Sequence, residues 1–386
     1  MSWSARLDRV EPFRVMSLLE EAQGREAAGH DVIHLGVGEP DFATPEAVVA
    51  AGQRALAAGQ TRYTPAAGLP ALREAIAGHY AERFGAEVDP ARILVTPGAS
   101  GALLLASQLL VQRGDRVLMA DPTYPCNRHF MALAEAELDT VAVGPASGWQ
   151  LDAELVARHW RDTTRLAMLA TPSNPTGHML DADQLAAVAA AVEARGGALL
   201  VDEIYQGLTY GVEPVSAAAV APEAFVVNSF SKYFGMTGWR LGWLLAPEAA
   251  VEPLTRLAQN VFLAASTPAQ HAALAAFTPD CLDELESRRR ELARRRDALL
   301  AGLARLDLAP SLPPQGAFYV WLDISRYSSD SQAFCRQLLE EENVAITPGI
   351  DFAVRGGEHH VRIAFTTSVA RLEEALNRLE RFLGRR

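Results

Sequence analysis

Between residues 93 and 227 six short apolar runs alternate with segments of helical pattern: Ile93-Leu94-Val95, Arg116-Val117-Leu118-Met119, and residues 138–143, 166–169, 198–201 and 225–227. A strand that is apolar at nearly every position must be covered on both faces. Strands joined through helices run parallel, so this stretch specifies an α/β unit with a mostly parallel sheet covered by helices on both faces. Ligands of such sheets lie beyond the carboxyl ends of the strands, where loops meet helix N-termini. The residues after each run therefore share one edge: Thr96-Pro97-Gly98-Ala99-Ser100-Gly101, Asp121-Pro122-Thr123-Tyr124, Thr171-Pro172-Ser173-Asn174-Pro175-Thr176-Gly177, Asp202-Glu203-Ile204-Tyr205 and Ser229-Phe230-Ser231-Lys232.

The flanks have a different texture. Residues 1–35 read as a helical lead-in that stops near Gly24 or Gly29, then a short strand at 31–35. A turn-rich loop runs from Gly36 through Gly38 to Pro45, with Thr44 as the expected N-cap of a helix over 46–58. A second helix starts at Pro70, with Leu72, Ile76, Tyr80 and Phe84 on one face. From Pro279 follow a long Arg/Glu-rich helix (284–303), a strand at 316–322, a helix at 330–341, apolar pieces at 344–347 and 360–365, and a last helix from Ser368. This mixture predicts a smaller α+β domain. The expected division is an N-terminal segment (1–45) joining a small C-terminal domain (279–386), with a large cofactor-binding domain at 46–278 between them. A chain of 386 residues is long enough for two cores.

A net charge of −12 gives no footprint for nucleic acid or an anionic membrane. No apolar run approaches the ~18 residues of a membrane span, and the first residues carry no signal-type apolar stretch. Cys126, Cys281 and Cys335 are sparse and odd in number, as for reduced thiols in a cytoplasmic protein. No histidine or cysteine has metal-type spacing, and no metal is expected.

The segment 228–242 carries the chemistry. Lys232 follows one buried-type run and precedes another, which is costly for an amine that is not used or paired. A lysine that gives up its proton near neutral pH can form a Schiff base with an aldehyde, and pyridoxal 5'-phosphate is the common cofactor that needs one. Asp202 would then pair with the pyridine nitrogen, Asn174 and Tyr205 would donate to the phenolate oxygen, and Arg240, Ser229 and the amides after Gly98 would hold the phosphate.

With these motifs the chain resembles the class I/II aminotransferases, fold-type I pyridoxal-phosphate enzymes. The matching elements are Gly38-Glu39-Pro40-Asp41-Phe42, Tyr63-Thr64-Pro65-Ala66-Ala67-Gly68, Thr96-Pro97-Gly98-Ala99-Ser100, Asp121-Pro122-Thr123-Tyr124, Ser173-Asn174-Pro175-Thr176-Gly177, Asp202-Glu203-Ile204-Tyr205, Ser229-Phe230-Ser231-Lys232 through Arg240, and Val361-Arg362-Ile363-Ala364-Phe365. They span nearly the whole chain in the family's order. The resemblance implies that Lys232 is the Schiff-base lysine and proton carrier, with Asp202 and Tyr205 as its catalytic partners. It implies Tyr124 stacked on the ring, Ala99, Ser100, Ser229, Ser231 and Arg240 around the phosphate, and Tyr63 reaching it across a homodimer interface. Arg362, with Asn174 and the Gly38 backbone, would clamp the substrate α-carboxylate. Cis peptides are implied before Pro122 and Pro175.

The expected reaction is ping-pong transfer of an amino group from an L-amino acid to a 2-oxo acid. Residues 259–264 offer no cation for a distal carboxylate, and Val37 and Phe42 stand near the carboxylate loop, so the donor leans neutral or apolar. Two alternatives stay open: C–S β-elimination on the same cofactor, and a non-catalytic cofactor-sensing protein.

Overall fold

A computed structural model describes residues 3–12 and 14–385; Phe13, which belongs to the expected lead-in helix, lies outside them with Met1, Ser2 and Arg386. The strands among the described residues are β1 (Ile33–His34), β2 (Ile93–Thr96), β3 (Arg116–Asp121), β4 (Glu137–Ala142), β5 (Thr164–Ala170), β6 (Ala198–Asp202), β7 (Phe225–Ser229), β8 (Gly242–Leu245), β9 (Tyr319–Asp323), β10 (Val344–Ala345), β11 (Thr347–Pro348) and β12 (His360–Ala364). The large sheet has the order β2-β8-β7-β6-β5-β3-β4. Its strands share one direction except β8, which is antiparallel to both β2 and β7. β8 is reversed because no crossover helix separates it from β7, only a loop with one 3-10 turn, Thr237–Trp239.

Successive residues of the central strands point to opposite apolar layers. Leu94, Met119, Met168, Leu200, Val227 and Leu244 enter one buried cluster. Ile93, Leu118, Ala167, Val201, Val226 and Trp243 enter the other. Burial on both sides, at about 1.5–3 kcal/mol for each large apolar side chain, locks the register, since a slip by one residue would exchange the faces. β4, at the edge, is the exception and keeps several positions open to solvent.

A three-stranded antiparallel sheet, β11-β12-β9, and a parallel pair, β1 with β10, complete the fold. The apolar piece 344–347 thus divides between two sheets rather than forming one strand. The lead-in helix, Arg14–Ala27, runs through Gly24 and ends just before Gly29, the second of the two expected stops, where φ is +91°. A glycine inside a helix costs only ~1 kcal/mol, and this helix is held by buried Val15, Leu18 and Ala22 and by the Val15 N–H donating to Asp351 Oδ2 over 2.8 Å. Thr44 does not cap the helix Glu46–Ala57: its hydroxyl donates to the Gly235 carbonyl and accepts the Trp239 indole N–H. The strand expected from Gly316 starts only at Tyr319, because Ala317 takes a left-handed φ of 58°. Among the described residues no helix is long and apolar enough to cross a membrane.

Candidate active site

The carboxyl ends of the large sheet open into a cavity of about 280 Å³, lined from the large sheet's loops, the lead-in helix, the Gly36–Glu39 loop and the three-stranded sheet. Lys232 follows β7 and reaches this cavity from below, where its Nζ donates to the Gly38 carbonyl at 2.7 Å. Burial lowers the lysine to a pKa of about 8; Glu39 and Asp202 oppose that shift, while the positive charges of Arg362 and Arg240 add to it. An amine so placed is a nucleophile at neutral pH.

Asp202 ends β6, 3 % exposed. Its Oδ2 accepts from Asn127 Nδ2 and its Oδ1 from the Ile204 N–H, each at 3.2 Å. Burial raises it to about 6 against those two donors and the positive charge of Lys232. A carboxylate kept this dry gains strongly from a cationic partner. Buried Asn127 Oδ1 beside it lacks a hydrogen-bond partner. Three residues on, Tyr205 meets the Tyr319 hydroxyl at 3.0 Å and lies 3.5 Å from Asn174 Nδ2.

The opposite end is built for an anion. The helix Gly98–Leu110 presents its first turn there, with Ala99 and Ser100 on the cavity wall. Gly98 has φ +71°, and a Cβ on it would sit 2.6 Å from Arg240 Nη2. A Cβ on Gly242 would lie 2.7 Å from the Ala99 nitrogen. The two glycines therefore let the helix N-terminus, the Arg240 guanidinium and the Ser229–Ser231 hydroxyl pair (2.9 Å) share one cradle. Arg240 itself donates to the Thr237 carbonyl at 3.0 Å. Among the described residues no carboxylate forms an ion pair with Arg240 or with Arg362.

Arg362, on β12, is 3 % exposed. Its Nη1 donates to Asn174 Oδ1 at 2.9 Å and its Nη2 to the Gly36 carbonyl at 2.6 Å, while the guanidinium lies 4.1 Å from the Tyr319 ring centre and 4.5 Å from that of Phe352. A buried cation held by dipoles and rings but by no anion keeps its charge available for an anionic ligand.

All the expected site residues line this cavity except Gly98 and Tyr63, and Gly98 sits just behind the wall against Arg240. Tyr63 is 83 % exposed and away from it. The backbone group touching Arg362 is the Gly36 carbonyl rather than Gly38, whose carbonyl instead faces Lys232. Cis peptides stand before Pro122 and Pro175, and a third before Pro172. Sequence reasoning missed Asn127, Glu39 and Tyr319. Asn127 lies in the first turn of the helix Pro125–Leu133 and Tyr319 in a strand 114 positions from Tyr205, so spacing alone carried no signal for either.

This donor set fits pyridoxal phosphate. An amine lowered towards neutrality, a dry carboxylate for a ring cation, two donors for a phenolate and a glycine-walled cationic cradle for a phosphate occur in one cavity.

Residues 30–379 match the family described as aminotransferase class I and II. The valine–pyruvate aminotransferase of Mycobacterium tuberculosis is 40% identical over 376 residues, 97% of each chain. The aspartate/prephenate aminotransferase of Thermus thermophilus is 37% identical over 388 residues, 99% of each. A crystal structure of an aminotransferase from Mycobacterium tuberculosis superposes with a TM-score of 0.96 at 39% identity, covering 100% of both chains. A match of this extent, on a chain whose lysine, carboxylate and two arginines converge on one cavity, shows that the protein belongs to the class I and II aminotransferases and is a pyridoxal-phosphate-dependent enzyme.

Proposed function

We propose that this enzyme moves the amino group of a neutral or apolar L-amino acid to a 2-oxo acid in two half-reactions, with Lys232 as the covalent anchor of the cofactor and the carrier of the substrate's proton. The observation that carries the reading is the placement of buried Lys232 and of Arg362, which no carboxylate pairs, on the wall of one cavity. Pyridoxal phosphate supplies an aldehyde that takes up the amino group and a ring that delocalises the electron pair left on the substrate's Cα.

The protein's part is positional and electrostatic. Arg362 and Asn174 orient the α-carboxylate, which fixes the Cα–H bond with respect to Lys232 Nζ. Lys232 Nζ would be the base that takes up and gives back the Cα proton. Asp202, kept in place by Asn127 and the Ile204 N–H, would keep the cofactor's ring nitrogen protonated. Asn174 and Tyr205 would donate to the phenolate oxygen. Gly98, Ala99, Ser100, Ser229, Ser231 and Arg240 would hold the phosphate, and Tyr124 would lie against the ring.

For the side chain, the cations on the wall are Lys232, Arg240 and Arg362, each already assigned, while Val15, Met16, Leu19, Val37 and Phe130 add apolar surface and Glu39 a negative charge. This supports a donor without a distal carboxylate. The valine–pyruvate relative agrees with that preference. Exposed Tyr63, with Val261 and Leu263 also open, supports a homodimer in which Tyr63 completes the partner's phosphate site. Free Cys126, Cys281 and Cys335 fit a cytoplasmic setting. Asp31 bridging Arg371 and Arg378, together with the β1–β10 pair, supports grouping 1–45 with 279–386 against 46–278.

A panel of amino donors assayed with pyruvate and with 2-oxoglutarate tests the reading. Valine, alanine or other neutral donors should exceed aspartate in kcat/KM. A preference for aspartate overturns the side-chain assignment, and pyruvate plus ammonia from cysteine without an oxo acid overturns transfer in favour of β-elimination.

A further inference from the structure

Tyr319 stands where the carboxylate clamp and the phenol of Tyr205 meet. Its ring is the face on which the Arg362 guanidinium rests, 4.1 Å from the centre. Its hydroxyl is 3.0 Å from that of Tyr205, and the two rings meet edge to face at 5.7 Å. It is 1 % exposed, on β9, which pairs with β12 so that Trp321 lies opposite Arg362. Gly38 accommodates it: a Cβ there would collide with the Tyr319 hydroxyl. One side chain thus touches the carboxylate receptor, the phenol that donates into the cavity, and the loop whose carbonyl holds Lys232.

The hydrogen-bond inventory gives this position a consequence. The Tyr205 oxygen already has Asn174 Nδ2 on one side, and the single Tyr205 proton can go either to Tyr319 or into the cavity. If Tyr319 accepts, Tyr205 has no proton to offer a ligand. If Tyr319 donates to Tyr205, the Tyr205 proton is directed into the cavity and polarised by the bond behind it. Both phenols are held protonated by burial, so the choice concerns orientation and not charge.

We propose that Tyr319 is a positioning residue that ties carboxylate binding at Arg362 to the strength with which Tyr205 donates beside Lys232. A carboxylate on Arg362 draws the guanidinium's charge away from the Tyr319 ring, which alters the polarity of the Tyr319 hydroxyl and with it the Tyr319–Tyr205 bond. Carboxylate binding is thereby reported to the proton affinity of the group that Lys232 forms with the cofactor. The inference rests on the assignment of Lys232 and Tyr205 as cofactor contacts.

The test uses the cofactor-loaded enzyme and Tyr319→Phe, which keeps the ring under Arg362 and removes only the hydroxyl. The visible absorption is titrated against pH with and without propionate, a carboxylate that has no amine to react. In Tyr319→Phe the midpoint should rise by about half a pH unit or more, and the midpoint shift caused by propionate should fall at least about twofold. In a Tyr205→Phe background, adding Tyr319→Phe should change neither quantity further, because the hydroxyl acts through Tyr205. An unaltered midpoint and propionate shift in Tyr319→Phe, or effects that add fully to those of Tyr205→Phe, overturn the proposal. If the parent enzyme itself shows no pH-dependent visible band, or Lys232→Ala keeps the parent's band and titration, the underlying assignment fails instead.

Discussion

Arg362 Nη1 donates to Asn174 Oδ1 over 2.9 Å, joining a strand of the three-stranded sheet to the loop after β5. That bond orients the guanidinium's remaining edge and leaves its charge without an anion. Buried Arg362 Nε has no partner at all. The arginine is held in position by neutral groups, so the attraction that would otherwise be used inside the protein stays available for a substrate carboxylate.

Replacing Arg362 should therefore act on carboxylate-bearing substrates alone. In Arg362→Lys, kcat/KM for an amino acid should fall by about 30–1,000-fold, corresponding to about 2–4 kcal/mol for loss of a bidentate buried contact. The reaction of a simple alkylamine, which has no carboxylate, should change by less than about threefold. Steady-state kinetics with both substrate types measure the difference.

Lys232→Ala should abolish the visible band that marks covalent attachment of the cofactor and lower transfer by at least about 10³-fold. Binding of pyridoxal phosphate through Arg240 and the helix N-terminus should persist, and equilibrium dialysis of the variant measures it. Transfer at the parent rate by this variant contradicts the role given to Lys232.

Gly98→Ala should weaken cofactor retention more than folding. The added methyl enters the space of Arg240 Nη2 at a backbone φ of +71°. The strain costs about 1–2 kcal/mol in stability, and displacement of the guanidinium should raise the cofactor dissociation constant by about 10–100-fold. Thermal unfolding of the apoprotein and cofactor titration separate the two effects.

Glu203, next to Asp202, gives a pH signature. Its Oε2 accepts from the Ser216 hydroxyl at 2.7 Å and its Oε1 from the Ala217 N–H at 2.6 Å, and burial raises it to about 8. The folded carboxyl keeps a proton that the unfolded one releases near its ordinary value. Its contribution is therefore present below about pH 4.5 and declines as pH rises through 8. Glu203→Gln, which does not titrate, should match the parent at about pH 4 and gain stability on it towards pH 8–9, by up to about 5 kcal/mol. Denaturant unfolding of the apoproteins across that range checks the sign; a parent more stable than the variant at pH 9 refutes it.

Local pattern sufficed for much of this protein because both layers of the large sheet select for it. Strands as apolar as Ile93–Thr96 or Phe225–Ser229 have no other stable environment than a doubly covered sheet, and the residues at their carboxyl ends then share an edge. Lys232, Asp202, Asn174, Tyr205 and Arg240 were legible for that reason. The reversal of β8, the division of 344–347 between two sheets and the role of Thr44 were not, since each depends on which neighbour is in reach rather than on the residues themselves. The same limit applies to the substrate end of the site. Arg362 meets Asn174, Gly36 and the Tyr319 ring only because separate sheets pack at one cavity, and neither the absence of a carboxylate beside it nor the contact of Tyr319 with Tyr205 is written in any local run. Sequence by itself determined the sheet, the family and which side chains gather at the sheet's edge; tertiary packing decided which charges remain unpaired, because pairing is a property of distance in space.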